Sequence, residues 1–167
     1  TEMQRHTQAR LESQQRRVDQ RFGRARARLL GVHGDPSEGQ QRIIDAALKL
    51  LDQDGLNNLS LRKLAATVDM QAPALYWYFK NKEVLIDYMA EAILQSEFKD
   101  LAPRQESEVW QDWLVKTCMR LRDAMRAHRD GARVVAGAHL YPAVTLMKLF
   151  EVSMQSLASA GVDLQQA

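Results

Sequence analysis

Cysteine, proline and glycine are scarce in this chain, and each shortage narrows what the protein can be. The 167 residues contain one Cys, four Pro and eight Gly. A single cysteine, Cys118, excludes an internal disulfide and a cysteine-based zinc cluster. Apolar runs are only a few residues long and no charged-then-apolar leader opens the sequence, so we expect neither a membrane span nor export. A protein of the cytoplasm is therefore expected.

The residues that are abundant favour helix. Apolar residues make up 46% of the chain and charged residues 26%, which is enough for a packed core. Apolar positions recur with helical spacing, whereas the sequence has no alternating strand pattern and no internal repeat. It predicts an all-α protein in three parts: an extension over 1–36, a compact unit over 37–84 and a second helical unit over 85–167.

Positive charge is concentrated in the N-terminal half, although the net charge is only +2. Residues 1–38 carry eight arginines against five acidic side chains. Residues 56–82 carry four basic side chains against Asp69 alone, whereas 83–167 carry nine basic and twelve acidic ones. A polyanionic partner would therefore meet the N-terminal half.

The extension over 1–36 combines arginines with a weak apolar stripe at helical spacing, and a Gly-Asp-Pro sequence ends it. Two interpretations remain open. The extension is either a solvated, partly helical tail or an arm that lays arginines on phosphates or in a DNA minor groove. The arginines that such an arm would use are Arg21, Arg24, Arg26 and Arg28.

The motifs that mark enzymes are missing from the sequence. It has no glycine-rich phosphate loop, no nucleophile elbow and no His/Cys set with metal-ligand spacing. Its four histidines are scattered, and Cys118 lies in the middle of a predicted helix, where we expect it to be packed. The sequence therefore argues against catalysis.

Residues 37–79 predict three helices in close succession. Their ends carry a capping box, a terminal glycine, a serine cap, a tight connection and a proline at a helix start. The residues concerned are, in order, Ser37 with Gln40, Gly55, Ser60, Asp69 to Gln71, and Pro73. Two short helices joined by a three-residue turn are typical of a helix-turn-helix motif, whose second helix enters the major groove of DNA.

Four consecutive aromatic residues end the third of these helices. Helical spacing places Leu75 and Phe79 in the core and turns the residues between them largely outward. Those residues are Tyr76, Trp77 and Tyr78, and two lysines follow, Lys80 and Lys82. Outward aromatic side chains beside lysines suit contacts to phosphates and thymine methyls. The alternative is a patch that seals two helices or binds another protein.

Four more helices are predicted beyond the motif. Their signals are Asn81 as a cap, Ser107 as the cap of a long helix to His128, Asp130 with Gly131 as the start of a short helix, and Pro142 as the start of the last.

Two stretches, 55–65 (GLNNLSLRKLA) and 72–85 (APALYWYFKNKEVL), resemble the tetracycline-repressor (TetR) family. Residues 110–114 and 128–132 resemble its tetracycline-repressor branch, and the likeness extends from Ser37 to about Gly161. It implies a ligand-responsive repressor of an efflux or resistance gene, with an N-terminal helix-turn-helix domain on operator DNA. It also implies a helical domain that binds a small-molecule effector and pairs two subunits, with further helices after Gly161 that this sequence does not hold.

The resemblance implies a DNA-binding role for one set of residues. Arg62 matches a residue that reads a guanine edge, and Pro73 and Tyr76 match residues that touch bases or thymine methyls. The residues that match phosphate contacts are Trp77, Tyr78 and Lys82. The full predicted set comprises Arg62, Lys63, Gln71, Ala72, Pro73, Ala74, Tyr76, Trp77, Tyr78, Lys80 and Lys82.

Three positions of the motif depart from the tetracycline repressors. Ala72 and Ala74 stand where those proteins have Gln and Thr, and Leu61 replaces a phosphate-binding Thr. Removing one bidentate hydrogen-bonded pair with a base changes discrimination by about 1–3 kcal/mol. We therefore expect DNA binding, but to a different operator.

The ligand-binding half departs further from that branch. Val135 replaces the His that coordinates drug-bound magnesium, and its side chain cannot bind a metal ion. This argues against magnesium–tetracycline and predicts no cofactor, with His139 left open as a substitute ligand. The resemblance implies an apolar pocket lined by Trp113, Thr117, Leu121, His128, Val135, His139, Met147 and Phe150. His128 is equally well interpreted as a buried, hydrogen-bonded histidine.

Overall fold

In the computed structural model, residues 37–139 and 144–162 are described, and they form seven α-helices with no strand among them. In chain order these are α1 (Glu38–Asp54), α2 (Leu61–Thr67), α3 (Ala72–Leu75), α4 (Lys82–Phe98), α5 (Trp110–Arg126), α6 (Gly131–Gly137) and α7 (Val144–Ser159), with a 3₁₀ turn at Leu56–Asn58. The predicted all-α fold is confirmed. Outside the described residues lie the extension over 1–36, with Arg21, Arg24, Arg26 and Arg28, and the predicted helix start at Pro142.

The ends of α1 follow the sequence signals. The Ser37 hydroxyl accepts a hydrogen bond from the Gln40 backbone N–H (3.2 Å), and the Ser37 N–H donates to the Gln40 side chain (3.0 Å). This is the predicted capping box, which pairs N–H groups that a helix leaves free at its start. At the other end Gly55 adopts φ +77°, a left-handed conformation that favours glycine.

The third helix is shorter than predicted. It begins at Ala72, so that Pro73 is its second residue, and it ends at Leu75 instead of Phe79. Over the next residues the backbone N–H groups of Tyr76, Trp77 and Tyr78 bond three residues back, at 3.0–3.3 Å. Bonds of this kind tighten the chain into a turn, which separates the aromatic side chains more widely than a helix would.

The helix that follows, α4, joins the two halves of the described fold. Asn81 caps it as predicted, with its side-chain oxygen accepting from the Val84 N–H (2.9 Å). Buried residues recur around α4 from Leu85 to Phe98, because α1, α5, α6 and α7 all pack against it. A helix buried on more than one side is central to its fold.

The start of α5 and the exposure of Cys118 differ from the predictions. Ser107 is not its cap, because α5 begins at Trp110 after Val109. The Arg104 guanidinium donates to the carbonyls of Gln105 (2.9 Å) and Glu108, which holds this stretch as a turn. The inward face of α5 is formed by Trp113, Thr117 and Ala124. Cys118 lies one residue beyond that face and is exposed, contrary to the expectation that it is packed.

The described residues contain two hydrophobic cores. The first gathers side chains of α1 to α4 and extends to Val134 and Val135 of α6, so it crosses the predicted unit boundary at 84/85. The second consists of Phe98, Leu101, Trp113, Leu149 and Val152. Leu121 and Leu146 pack against both cores and therefore connect them.

The two glycines of α6 provide a matched test of this packing. A Cβ at Gly131 would lie 2.5 Å from the Met125 carbonyl oxygen, whereas a Cβ at Gly137 meets nothing within 4 Å. We expect Gly131→Ala to lower the free energy of unfolding by about 1–3 kcal/mol through overpacking. Gly137→Ala should raise it by about 0.4–1 kcal/mol, because alanine restricts the unfolded chain. Urea unfolding of both variants checks the contrast, and equal effects would contradict it.

Candidate nucleic-acid interface

A helix-turn-helix motif formed by α2 and α3 has one buried and one exposed face. Its buried face consists of Leu64, Ala65 and Leu75. The predicted DNA-binding residues lie on the other face or at its edge, with Arg62, Lys63, Gln71 and Pro73 exposed or half-buried and Ala72 and Ala74 beside them. The motif therefore presents its basic and small side chains to solvent while its large apolar side chains close the core.

Leu75 and the four aromatic residues after it divide as the spacing predicts at four of the five positions. Leu75 and Phe79 are fully buried, and the Phe79 ring meets Tyr88 of α4 edge-on with 5.3 Å between ring centroids. Trp77 is 90% exposed and Tyr76 is 57% exposed. Exposed aromatic side chains of this size are typical of contact surfaces.

Tyr78 does not point outward as predicted. Its ring packs over the first turn of α1, where a Cβ at Gly39 would lie 3.0 Å from Tyr78 Cε1 and 3.1 Å from the hydroxyl oxygen. The side chain is half-buried and also packs against the first core. The turn at 76–78 explains the difference, because it directs Tyr78 toward α1 and Trp77 toward solvent. Tyr78 is therefore less accessible to a ligand than Tyr76 and Trp77.

The four basic side chains of the motif are not equivalent. Lys63 forms an ion pair with Asp54 (Nζ to Oδ2, 2.6 Å). Lys82 is half-buried, and its Nζ donates to the Leu56 carbonyl at 3.4 Å. Arg62 and Lys80 are exposed and form no ion pair within residues 37–139 and 144–162. These two cations have the greatest freedom to meet an anionic ligand.

The end of α1 is joined by hydrogen bonds to the turn between α5 and α6. His128 Nδ1 lies 2.9 Å from Asp52 Oδ2, and the Arg129 backbone N–H donates to Asp52 Oδ1 (2.9 Å). The Arg129 guanidinium donates to the Gln53 carbonyl (2.9 Å). We call the contacts between 52–57 and 128–133 the interdomain joint. His128 belongs to this joint, where it is half-buried and hydrogen-bonded to Asp52.

Two residues with positive φ, Gly55 and Asp130, complete the interdomain joint. Asp130, at φ +57°, accepts the Leu56 N–H (2.9 Å), and Arg133 donates to the Asn57 side chain (3.1 Å). A Cβ at Gly55 would lie 3.0 Å from the same Asp130 carboxylate, so the joint requires glycine there. The hydrogen bond from Leu56, with a smaller contribution from Arg133, lowers the pKa of Asp130 below its ordinary value.

The residues predicted to line a pocket are not all brought together. Trp113, Thr117 and Val135 are buried, and Leu121 is half-buried between the two cores. Met147 is 44% exposed and Phe150 is 57% exposed, because α7 turns them away from the buried face that Thr145, Leu149 and Val152 form. Within the described residues, Met147 and Phe150 therefore line no enclosed cavity.

His139 is exposed and is bound to α4. Its backbone N–H donates to Asp87 Oδ1 (2.8 Å), and its ring Nδ1 lies 3.3 Å from the same carboxylate. In the described part of the chain, no group of three or more His, Cys, Asp or Glu side chains could hold a metal ion. None of the helices in that part has the length and apolarity to cross a bilayer.

Sequence reasoning missed four acidic residues that organise the fold. Asp52 and Asp130 build the interdomain joint, and Asp87 and Glu91 are buried in α4. The sequence pattern could have indicated the burial of Asp87 and Glu91, because both fall on the otherwise apolar inward face of α4. No such pattern marks Asp52, because its partners lie 76 and 77 positions away along the chain.

Comparisons with known proteins agree with this geometry. The profile described as "Bacterial regulatory proteins, tetR family" matches residues 43–89, and "Tetracyclin repressor-like, C-terminal domain" matches 102–167. The tetracycline repressor protein class A from transposon 1721 of Escherichia coli is 39% identical over 119 residues, which are 71% of this chain and 54% of that protein. The chain thus spans about half the length of the curated relatives that it matches.

Solved structures show the same fold. A TetR-family transcriptional regulator from Streptomyces coelicolor superposes with a TM-score of 0.67 at 32% identity, covering 77% of this chain and 72% of that one. BioQ with its natural double-stranded DNA operator gives a TM-score of 0.66 at 30% identity, covering 74% and 73%. Fold and motif place the chain among the helix-turn-helix proteins. The chain belongs to the TetR family of bacterial regulatory proteins.

The lowered pKa of Asp130 predicts a pH-dependent stabilisation. We expect Asp130→Asn to lower the free energy of unfolding near neutral pH, and the difference from wild type to shrink as the pH falls below about 4. The pKa is lower in the folded chain than its ordinary value of 3.8, so folding favours the ionised carboxylate. That contribution is present above the ordinary value and is lost as the pH falls through the folded value.

Urea titrations of both proteins at several pH values measure the difference. Asp100, whose pKa Arg120 also lowers, is present in both proteins and cancels. A difference that stays constant down to the acid limit would contradict the assignment of Asp130 to the joint.

Proposed function

We propose that the chain is a transcriptional repressor that binds a double-stranded operator through α2 and α3 and is released by a small-molecule effector. The observation that carries this proposal is the exposure of Trp77 and Tyr76 beside Arg62, while Leu75 and Phe79 close the core. A large exposed aromatic surface beside cations suits a partner that offers both phosphates and base edges. The operator complex of the related BioQ supports the same interpretation.

In this proposal, several exposed side chains of the motif contact DNA directly. Arg62 is long enough and free enough for a bidentate contact to a guanine edge. Pro73 and Tyr76 supply apolar contact to thymine methyls, and Trp77 and Lys80 meet phosphates. Lys82 keeps two further N–H groups after its bond to Leu56, so it can also donate to a phosphate. Gln71, Lys63 and the Tyr78 hydroxyl stand at the edge of this surface.

Small residues in α3 set the operator apart from those of the tetracycline repressors. Ala72 and Ala74 carry only a methyl group each, so they read base pairs by shape and by contact with thymine methyls. Hydrogen-bonded readout then rests on Arg62 and Gln71. An operator with a guanine opposite Arg62 and a thymine-rich step opposite α3 fits this set best.

A homodimer is the form that such a motif requires. One α2–α3 unit covers a single half-site, and two units about 34–36 Å apart match successive major grooves. Binding of the first unit raises the effective concentration of the second at its half-site. We assign the pairing surface to the regulatory half, and the aligned stretch covers 54% of the class A tetracycline repressor.

The effector is bound without a metal ion in this proposal. Val135 is buried in the first core and has no donor atom, so it cannot hold the magnesium that its counterpart holds. Trp113, Thr117 and Leu121 supply one wall of a mostly apolar site between α5 and α7. The name of the relative, tetracycline repressor, supports a resistance or efflux gene as the target.

Release from DNA follows from the way α6 is held. The interdomain joint and the first core attach α6 to the DNA-binding helices, so a movement of α6 changes their position. An effector that prefers the moved state shifts the population away from the spacing that fits DNA. The size of that shift equals the difference in effector affinity between the two states.

Selection of bound duplexes from a random DNA pool, followed by mobility shift in rising salt, tests the proposal. A repressor yields a preferred sequence with paired half-sites and an affinity that falls steeply with log salt. A helical module that uses the aromatic patch for protein binding yields no preferred duplex and a flat salt response.

Arg62→Ala should relax the preference for one base pair at a cost of about 1–3 kcal/mol, because it removes a hydrogen-bonding side chain from a base edge. Lys63→Ala is the matched control, since the Lys63 ammonium is already paired with Asp54 and its removal should affect all duplexes little. Lys80→Ala should weaken all duplexes alike and reduce the salt slope by about one. Retention of full affinity and preference by Arg62→Ala would reject the groove assignment.

The extension over 1–36 is proposed as an accessory DNA contact because of its clustered arginines. Deleting residues 1–34, or changing Arg21, Arg24, Arg26 and Arg28 to Gln in the full chain, should weaken binding. The salt slope should fall by about 0.9 for each phosphate that the arginines no longer neutralise. An unchanged slope would assign the extension to a solvated tail.

A further inference from the structure

Two buried carboxylates one turn apart on α4 hold the connection between α6 and α7. Asp87 is 6% exposed and accepts the His139 backbone N–H (2.8 Å). Glu91 is 5% exposed, and its two oxygens accept the Thr145 backbone N–H (3.0 Å) and the Thr145 hydroxyl (2.9 Å). Residues on both sides of 140–143 are thus fastened to the same helix. We call these contacts the α4 clamp.

Glu91 acts as a cap supplied by a neighbouring helix. Thr145 lies in the first turn of α7, where backbone N–H groups have no partner within their own helix. A carboxylate at that end forms charge-assisted hydrogen bonds and interacts favourably with the helix dipole. Gln95 Nε2 donates to Glu91 Oε1 (2.9 Å), which fixes the orientation of the carboxylate. The first turn of α7 is therefore held at a defined place on α4.

The cost of this arrangement indicates that it positions α7 more than it stabilises the core. Two acidic side chains four residues apart repel each other, and burial increases the cost of each charge. Apolar side chains at both positions would avoid that cost and still fill the space. Hydrogen bonds offset it only while His139 and Thr145 remain in place, so the clamp is sensitive to small displacements of α7.

The same helix determines where the DNA-binding helices lie. Leu85 and Met89 of α4 are buried in the core that contains Leu75 and Phe79, and Tyr88 meets the Phe79 ring. Next to the clamp, Leu146 packs against both cores. A continuous path of contacts therefore runs from the first turn of α7 through α4 to the aromatic run.

We propose that Glu91, assisted by Asp87, is a positioning residue for operator binding, which transmits the position of α7 to α2 and α3. This inference rests on the repressor function proposed above. It makes operator affinity depend on two carboxylates that do not lie on the DNA-binding face. Of the residues predicted to line the effector site, the Asp87 carboxylate contacts His139, which is exposed.

Glu91→Gln tests the proposal, and Glu97→Gln is its matched control. The glutamine amide replaces one of the two acceptor oxygens by an NH2 donor, so the cap loses at least one of its bonds from Thr145 or Gln95 with little change in shape. Glu97 lies on the same helix and is exposed, so its variant makes the same charge change without touching the clamp. We expect Glu91→Gln to weaken operator affinity about tenfold, a typical size for mutations that couple distant sites. Its salt slope and base preference should stay unchanged, whereas Glu97→Gln should bind like wild type.

A double-mutant cycle separates positioning from general destabilisation. Thr145→Val removes the hydroxyl partner, and its effect on operator affinity should be less than additive with that of Glu91→Gln, because both variants weaken the pairing of Glu91 with Thr145. Amide hydrogen exchange should be faster both in residues 144–148 and in 61–75 of either variant. Additive decreases in affinity, or faster exchange confined to α7, would overturn the proposal.

The exchange measurement also separates this inference from the repressor proposal. If the wild-type chain selects no duplex, the repressor function fails. Amide exchange in residues 61–75 of Glu91→Gln then tests by itself whether the clamp positions α2 and α3. Faster exchange supports that role, and exchange at the wild-type rate overturns it.

Discussion

The burial of α4 between helices from both halves of the described chain is the constraint on which the structure depends. Leu85 and Met89 lie in the core that holds α1 to α3, and Phe98 lies in the core formed with α5 and α7. Close packing leaves few voids, so a displacement at one end of such a helix is transmitted to the other. The helix that follows the DNA-binding motif is therefore also the structural support of the regulatory half, and neither half can be repositioned alone.

Local signals in the sequence were sufficient to predict the helices and to predict which face of the motif is buried. Ser37 and Asn81 cap α1 and α4 because their side chains bond N–H groups three positions away, which is visible in any short window. Leu75 and Phe79 were assigned to the core from a spacing of four, and both are fully buried. Predictions that need only neighbouring residues were the ones that the structure confirmed.

The errors arose where distant residues compete with local signals. Ser107 has the right side chain for a cap, but Arg104 binds the carbonyls around it and α5 begins later. Tyr78 turns inward because Gly39, far away in sequence, leaves room for its ring. The polar contacts of Asp52 and Glu91 span 54 to 77 positions, and no periodicity announces a pairing of that kind. Local sequence determines where the helices begin and end, whereas the interdomain joint and the α4 clamp depend on how those helices pack together.

The exposed thiol of Cys118 has a practical consequence. It is the one sulfhydryl in the sequence, and it stands on α5 beside the inward-facing Thr117. A maleimide-linked fluorophore or nitroxide would therefore attach at this one position, and no other cysteine would have to be replaced first. In a pair of subunits, the distance between the two labels, measured by spectroscopy, would report the separation of the regulatory halves.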